Sequence, residues 1–567
     1  MRRSGSDNGL RHRGPIAGIA AHGHYVATAG YDNRVILWDA RSHRALSRGH
    51  HDHLVNQCAF SADGHWLLTA SSDYSARVWA VPSMRLHAVL GGHTDDVDMA
   101  VFSPDDRRIA TCALDRSVRI FDLTGRCLQE MRGHTGNVLS LVWSQDARHV
   151  ISSSVDGSVR RWDADRGVEV QSTELNVRTD SIEIDSDGVV YAGDDLGRIA
   201  VIDQGAARFI QAHRAGVKKI ALDAQHGILV SLSYDCTLAV WRVDKSTGLK
   251  EVSRSPLPET VWARTAAVLD DGRIAAGTFG SSYAVFDPRS NTWDLDGIEV
   301  GPGINAVLQV ADHIYTVGDA GCVAIDGRPA AQMGSLCNFL VEAHGQVLTG
   351  GQLGRLFNAR TGAVIHTHHS PLNCGVAFER RGLRCVAVGT YTGEVLIFEP
   401  GHDDQLTLVE CLAIYQNAVK GLSVSGGLLF SVCASTDVAW HRLDDWSVVR
   451  RVTRAHERIA NACCDIGSGR FASVGRDRTL RLWDGNETEG FPSPHPHSVK
   501  CMAVDDARTA VLTGCYGGTV ARFDLKSKQW TNVQRPTDSG ISSITWDRRH
   551  GWFLAASYDG AIYPVAA

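Results

Sequence analysis

Apolar and polar positions alternate with a period of two along short stretches of this chain, and those stretches recur. The strings RVILWDA, SARVWAV, SVRIFDL, SVRRWDA, TLAVWRV and TLRLWDG each follow a turn of small or polar residues and carry a Trp or Phe near their end. The same place can be followed through Trp38, Trp79, Phe121, Trp162, Ile202, Trp241, Phe286, Ile325, Phe357, Phe398, Trp440, Trp483, Phe523 and Val565. Their mean spacing is about 40.5 residues, the length of one four-stranded antiparallel sheet in an array of such sheets. No segment sustains the 3.6-residue period of an amphipathic helix, so the pattern predicts an all-β chain. Asp-Gly pairs such as Asp63-Gly64 and Asp156-Gly157 are hairpin chemistry rather than paired acids.

A second spacing runs through the first. His134 precedes Asp156 by 22 residues and Asp156 precedes Trp162 by six, with Ser152 between them. The same intervals separate His51, Asp73 and Trp79, around Thr69, and His213, Asp235 and Trp241, around Ser231. His12, Thr28, Asp32 and Trp38 match with a shorter loop, as do His456, Ser473, Asp477 and Trp483. A further set, His93, Thr111 and Asp115, ends in Phe121 and lacks the indole. These residues resemble the WD40 family over nearly the whole chain. The resemblance implies a β-propeller whose blades are tied by a buried tetrad of His, Ser or Thr, Asp and Trp. The residue types suit that role: indole N–H donates, the hydroxyl accepts and donates, and imidazole supplies the donor that a part-buried carboxylate needs.

Fourteen blades exceed the roughly four to eight of a single ring, so two seven-bladed propellers in tandem are expected, at 1–290 and 291–567. The 32-residue interval from Ile325 to Phe357 reads as a truncated blade. The chain closes on AIYPVAA without an outermost strand. Either residues 1–10 complete the last blade or the first propeller is inserted within the second.

Composition narrows the function classes. The chain has 567 residues, 44% hydrophobic and 21% charged, and a net charge of −6, so it carries no electrostatic footprint for nucleic acid. No run of about 18 apolar residues marks a membrane span. The basic N-terminus, with Arg2, Arg3, Arg11 and Arg13, lacks the apolar stretch of a secretory signal and reads as a short disordered tail. Fourteen Cys without a CxxC pair fit reduced thiols and a cytoplasmic setting. Eight Lys against 49 Arg point to a GC-rich, bacterial genome.

Candidate chemistry is sparse. No phosphate-binding GxxxxGK[ST] loop, GxGxxG turn, GxSxG elbow or EF-hand is present. The chain has 25 His, and eight of them form three clusters on loops leading into innermost strands: His50, His51 and His53; His366, His368 and His369; His495 and His497. His369 and His495 take the tetrad position, with Thr392 and Gly517 where the acid belongs. An ordinary solvated loop explains these residues, and a divalent transition metal is what His366, His368, His369, His495 and His497 would hold if they converge. Polar residues near the start of the innermost strands should line the channel mouths. They are Asn56, Asp98, Asp180, Lys218 and Arg264 in the first ring, and Asn305, Cys374, Lys420 and Lys500 in the second. Lys420 and Lys500 suggest a funnel for an anionic small molecule.

The main functional expectation is a non-catalytic scaffold that binds protein partners on a propeller face bearing Tyr74, Arg116, Gly157 and Cys236. The alternative is a metal- or small-molecule-binding enzyme, or an accessory to one, in bacterial secondary metabolism such as azapteridine toxin biosynthesis. The second half is the looser one: GCVAIDG, GRLFNAR and GEVLIFE keep strand patterning but lack the turn Asp.

Overall fold

A computed structural model describes residues 10–224, 226–244, 248–401 and 405–566. The alternating segments form antiparallel strands throughout, and among the described residues no helix is long and apolar enough to cross a membrane. The strands assemble into thirteen four-stranded sheets and a final three-stranded one, each a meander of consecutive strands. The chain divides into two compact units, 1–300 and 301–567. Blades 1 to 7 span 16–50, 55–90, 97–132, 138–174, 179–211, 217–256 and 261–294. Blades 8 to 14 span 304–332, 337–367, 372–413, 419–452, 460–492, 499–534 and 541–566.

Within each unit the first strands of successive blades are neighbours, and those of the last and first blades close the circle, Val261–Val268 beside Ile16–His22 and Ile541–Asp547 beside Ile304–Val310. The result is two seven-bladed all-β propellers. Each is continuous along the chain, so the first is not inserted within the second. The last blade keeps three strands among the described residues. The expectation that residues 1–10 complete it falls mainly on residues 1–9, outside the described ones. Leu10 packs against blades 1 and 7. The short interval leading to blade 9 reflects the two-residue turns Asp326-Gly327 and His344-Gly345 and the five-residue strand Arg328–Gln332, not a missing strand.

Burial follows the layering. The third strand Arg34–Asp39 is buried on both sides, whereas the outermost strand Arg44–His50 alternates exposed and buried positions. Inner strands are sandwiched between adjacent blades, so both of their faces read apolar. The recurring aromatic is the wedge between blades: Trp38, Trp79, Phe121, Trp162 and Trp241 are buried in the first ring, and Phe357, Phe398, Trp440, Trp483 and Phe523 in the second. Each such side chain contributes about 2–3 kcal/mol by leaving water.

Arg2 and Arg3 lie outside the described residues. Arg11 and Arg13 do not behave as a loose tail: Arg11 pairs with Glu299, and the Arg13 backbone N–H donates to Asp32 at 2.8 Å.

Candidate functional site

Two local devices repeat around both rings and build the mouth of each central channel. The first is a β-bulge at the start of the innermost strand of every blade but the seventh, where the pairing skips the second residue, as between Val55 and Gln57 or Val217 and Lys219. A bulge bends the strand and re-aims the extra side chain. The second is the turn after the second strand. Its first residue donates its backbone N–H to the carbonyl just before the innermost strand, as in Tyr31 to Pro15, Asp195 to Arg178, Tyr391 to Pro371 and Arg476 to Ile459. Together they place one bulge side chain and one turn side chain per blade around the mouth.

In the first ring these positions hold a nearly buried charge network. Lys218 on its bulge reaches both Asp180 and Asp195, and Arg178 donates to Asp180 at 2.7 Å. Burial works against ionisation at each group. The aspartates nonetheless hold Lys218 above the usual ammonium range, and Arg178 and Lys218 hold Asp180 below the usual carboxylate range. Asp98 is pushed up to about 6 by burial, against the pull of Arg264. Beside the charges stands an aromatic group, with Trp262 edge-on to Tyr31 at 5.3 Å, 5.4 Å from Phe279, and under Arg264 at 5.9 Å. Arg264 lies inside a wide irregularity between Val261 and Ala266 rather than at a simple bulge.

In the second ring most bulge residues stitch one blade to the next. The amides of Asn305, Asn338, Asn373 and Asn461 donate to the Cys337, Leu372, Val419 and Val499 carbonyls at 3.1, 2.8, 2.6 and 2.7 Å. Ser542 closes the ring onto the Ile304 carbonyl. Blade 10 presents Asn373 at the bulge, not Cys374, which pairs with Gly389. Blades 11 and 13 present Lys420 and Lys500 instead.

The tetrads sit behind the mouths. Trp38, Trp79, Trp162, Trp241 and Trp483 donate to the hydroxyls of Thr28, Thr69, Ser152, Ser231 and Ser473 at 2.7–2.8 Å. Nε2 of His12, His51, His134, His213 and His456 meets the same hydroxyls at 2.7–2.8 Å. Nδ1 lies 2.9 Å from Asp32, Asp73, Asp156 and Asp477, and 3.3 Å from Asp235, where Thr237 intervenes. The consistent proton assignment runs from indole to hydroxyl to Nε2, and from Nδ1–H to carboxylate. Burial opposes the Asp73 charge, but the hydrogen bonds from His51 and Ser75 hold its carboxyl well below the usual range. His93 bonds Asp115 and Thr111 in the same way without an indole.

Of the expected partner-binding residues, Tyr74, Arg116, Gly157 and Cys236 all occupy the left-handed position after the turn acid, at φ 69°, 68°, 83° and 60°. Arg116 is exposed and Tyr74 and Cys236 are half-buried. Gly157 is buried, and a Cβ there would meet Val177 N at 2.9 Å, so it shapes the turn and offers no surface. Burial holds the Cys236 thiol protonated, up to about 12.

The histidine clusters are not brought together. His366 lies on the outermost strand of blade 9, Val364–Thr367, not on a loop, and His368 and His369 precede blade 10, whereas His495 and His497 precede blade 13. It is His368, not His369, that turns inward: its Nε2 lies 3.3 Å from Glu394, while His369 is exposed. His366 lies edge-on to Phe398, with the ring centres 5.4 Å apart. His495 bonds Thr513 at 2.8 Å, and burial pushes it down to about 4. His497 fills the space over Gly517, where a Cβ would meet its ring at 2.0 Å. His53, expected on an exposed loop, is buried and accepts the Leu54 N–H at 2.8 Å, whereas His50 is exposed. Among the described residues one metal-compatible group remains, His368, His369 and Glu394, with ligand atoms within 4.8 Å of one another. Its Glu394 is held down to about 2 by the His368 hydrogen bond.

The model for the WD domain, G-beta repeat matches residues 10–39, 43–80, 84–122, 125–163 and 447–484, which run from the lead-in of blade 1 to the third strand of blade 4 and from the outermost strand of blade 11 to the third strand of blade 12. The fold is a WD40-repeat β-propeller fold. The chain is 32% identical over 116 residues to the serine-threonine kinase receptor-associated protein of Gallus gallus, covering 20% of this chain and 33% of that one. It is 29% identical over 122 residues to WD repeat, SAM and U-box domain-containing protein 1 of Danio rerio, covering 21% and 25%. The chain thus matches a third or less of the length of these WD40 relatives.

Sequence reasoning missed Arg178, Asp195, Tyr391, Arg476, Tyr516 and Tyr558 at the mouths. Apart from Arg178, all stand one residue before the turn acid or its replacement, a register that the repeat itself supplies. Glu394 had no such signal, because it lies two residues beyond the degraded turn position Thr392.

Proposed function

We propose that this WD40 protein is a protein-interaction scaffold whose first ring holds a partner on the face bearing its bulges and turns. The observation that carries this reading is the half-exposed Trp262, packed on Tyr31 and Phe279 under Arg264, on the same face as Tyr74 and the exposed Arg116. Trp, Tyr and Arg in contact around a desolvated centre are the residues that dominate binding energy at protein interfaces. Tyr74 and Arg116 adopt a backbone conformation that costs about 1 kcal/mol without glycine. That cost is offset if their side chains are used. One relative is by name a receptor-associated protein, which fits a scaffold. Trp262→Ala, and separately Arg116→Glu with Tyr74→Ala, should each abolish partner capture in a pull-down while leaving the melting temperature within about 2 °C. Undiminished capture by both variants would remove this face from consideration.

A second reading rests on His368, His369 and Glu394. Two imidazoles and a carboxylate suit Zn²⁺ or a neighbouring transition metal. Binding would replace the proton that His368 now shares with Glu394. Full-length protein dialysed after zinc exposure should retain about one metal per chain, and His368→Ala should retain none. Wild-type protein free of metal under those conditions ends this reading.

A further inference from the structure

The bulge position has a structural use in this fold, visible in the second ring. Five of its seven blades present an amide or a hydroxyl there, and each of those side chains bonds the carbonyl that opens the next innermost strand. Blades 11 and 13 give up that bond for Lys420 and Lys500. Among the described residues neither ammonium has a carboxylate within ion-pair distance. The first ring shows what a compensated lysine looks like at this position, because Lys218 sits between Asp180 and Asp195.

The two lysines are also brought together with a third cation. Lys500 and Arg476 lie close enough to Lys420 to disfavour its charge, and burial with that repulsion pushes Lys420 down to about 7. The Lys420 ammonium stands 5.6 Å from the centre of the Tyr391 ring. Tyr516 and Tyr558 take the corresponding turn positions of blades 13 and 14, with ring planes 12° apart. The one carboxylate at a turn position of this mouth, Asp319 on blade 8, is occupied by the Asn305 amide at 3.0 Å and is pushed up to about 7 by burial. Two lysines brought together with no carboxylate within ion-pair distance of either ammonium are unfavourable, and a bound oxyanion removes that penalty.

We propose that the mouth of the second propeller is a binding site for a small molecule carrying a dianionic group, held by Lys420 and Lys500 within a wall of Tyr391, Tyr516 and Tyr558. A phosphate ester and a dicarboxylate share this chemistry. Lysine recognises charge without the bidentate geometry that would select between them. The proposal stands independently of the partner face on the first ring.

Calorimetric titration of the full chain at low ionic strength with pyrophosphate, and separately with succinate, tests it. Saturable one-to-one binding of at least one probe is expected, with a rise in melting temperature at saturating probe. Lys420→Met and Lys500→Met should each weaken that binding at least tenfold. Lys526→Met, which removes an exposed charge from the same unit, should leave it within twofold. Binding of pyrophosphate alone assigns a phosphorylated ligand, and binding of succinate alone assigns a dicarboxylate. No saturable binding of either probe overturns the proposal. Binding that survives both lysine substitutions in folded protein overturns it as well.

Discussion

Replacing Lys218 with Met lowers the stability of the first ring by about 3 kcal/mol, while the same replacement at Lys420 leaves the second ring unchanged or slightly more stable. Both residues occupy the bulge of an innermost strand, so geometry is held constant and only the electrostatic surroundings differ. Lys218 is wedged between Asp180 and Asp195, all three nearly buried. Removing it leaves two carboxylates facing one another with Arg178 as their remaining near cation. Breaking one side of a buried ion network costs about 3–5 kcal/mol because the remaining charge is stranded, and Arg178 keeps this case at the low end. Lys420 is the reverse case: burial already pushes its ammonium down to about 7, so deleting it removes a penalty. Denaturant titration of the full-length variants, with hydrogen exchange resolved over 217–256 and 419–452, measures both. Equal losses at the two positions would contradict the electrostatic account.

Ser152→Ala lowers stability by about 3 kcal/mol, and Thr111→Val by about 1–2 kcal/mol less. The Ser152 hydroxyl serves two buried groups, accepting from the Trp162 indole at 2.8 Å and meeting His134 at 2.8 Å. Its loss strands both, at about 1–3 kcal/mol each. In blade 3 the aromatic is Phe121, which has no N–H, so Thr111 serves only His93. The difference between the two variants isolates the indole hydrogen bond of a tetrad. Paired urea titrations measure it, and indistinguishable losses would show that the indole contributes nothing net.

Much of the fold was legible in the sequence because a blade is a local object. His134, Ser152, Asp156 and Trp162 lie within 29 residues, so the spacing that forms their network is written along a short stretch of chain. The wedge between blades is legible for the same reason, since every Trp or Phe of the series follows its own turn. Loop details were harder to read. His368 and His369 are adjacent, and only the folded blade shows that His368 is the one that meets Glu394, at the start of the strand Glu394–Pro400. His53 does stand in a loop, yet its ring is buried and accepts the Leu54 N–H.

The mouths were only half legible. The repeat marks which residue stands at each bulge, so Lys218, Lys420 and Lys500 could be singled out from spacing alone. Their different characters depend on residues in other blades: Asp180 and Asp195 beside Lys218, and Lys500 and Arg476 beside Lys420. By itself the sequence determined the all-β class, the number of blades, the tetrads and the register facing each channel, because all of these repeat within about forty residues. The tertiary structure alone decided which charges are compensated, which histidines converge and which turn residues remain exposed. Those properties arise where one blade meets the next, and Coulomb forces and burial act across that meeting regardless of distance along the chain.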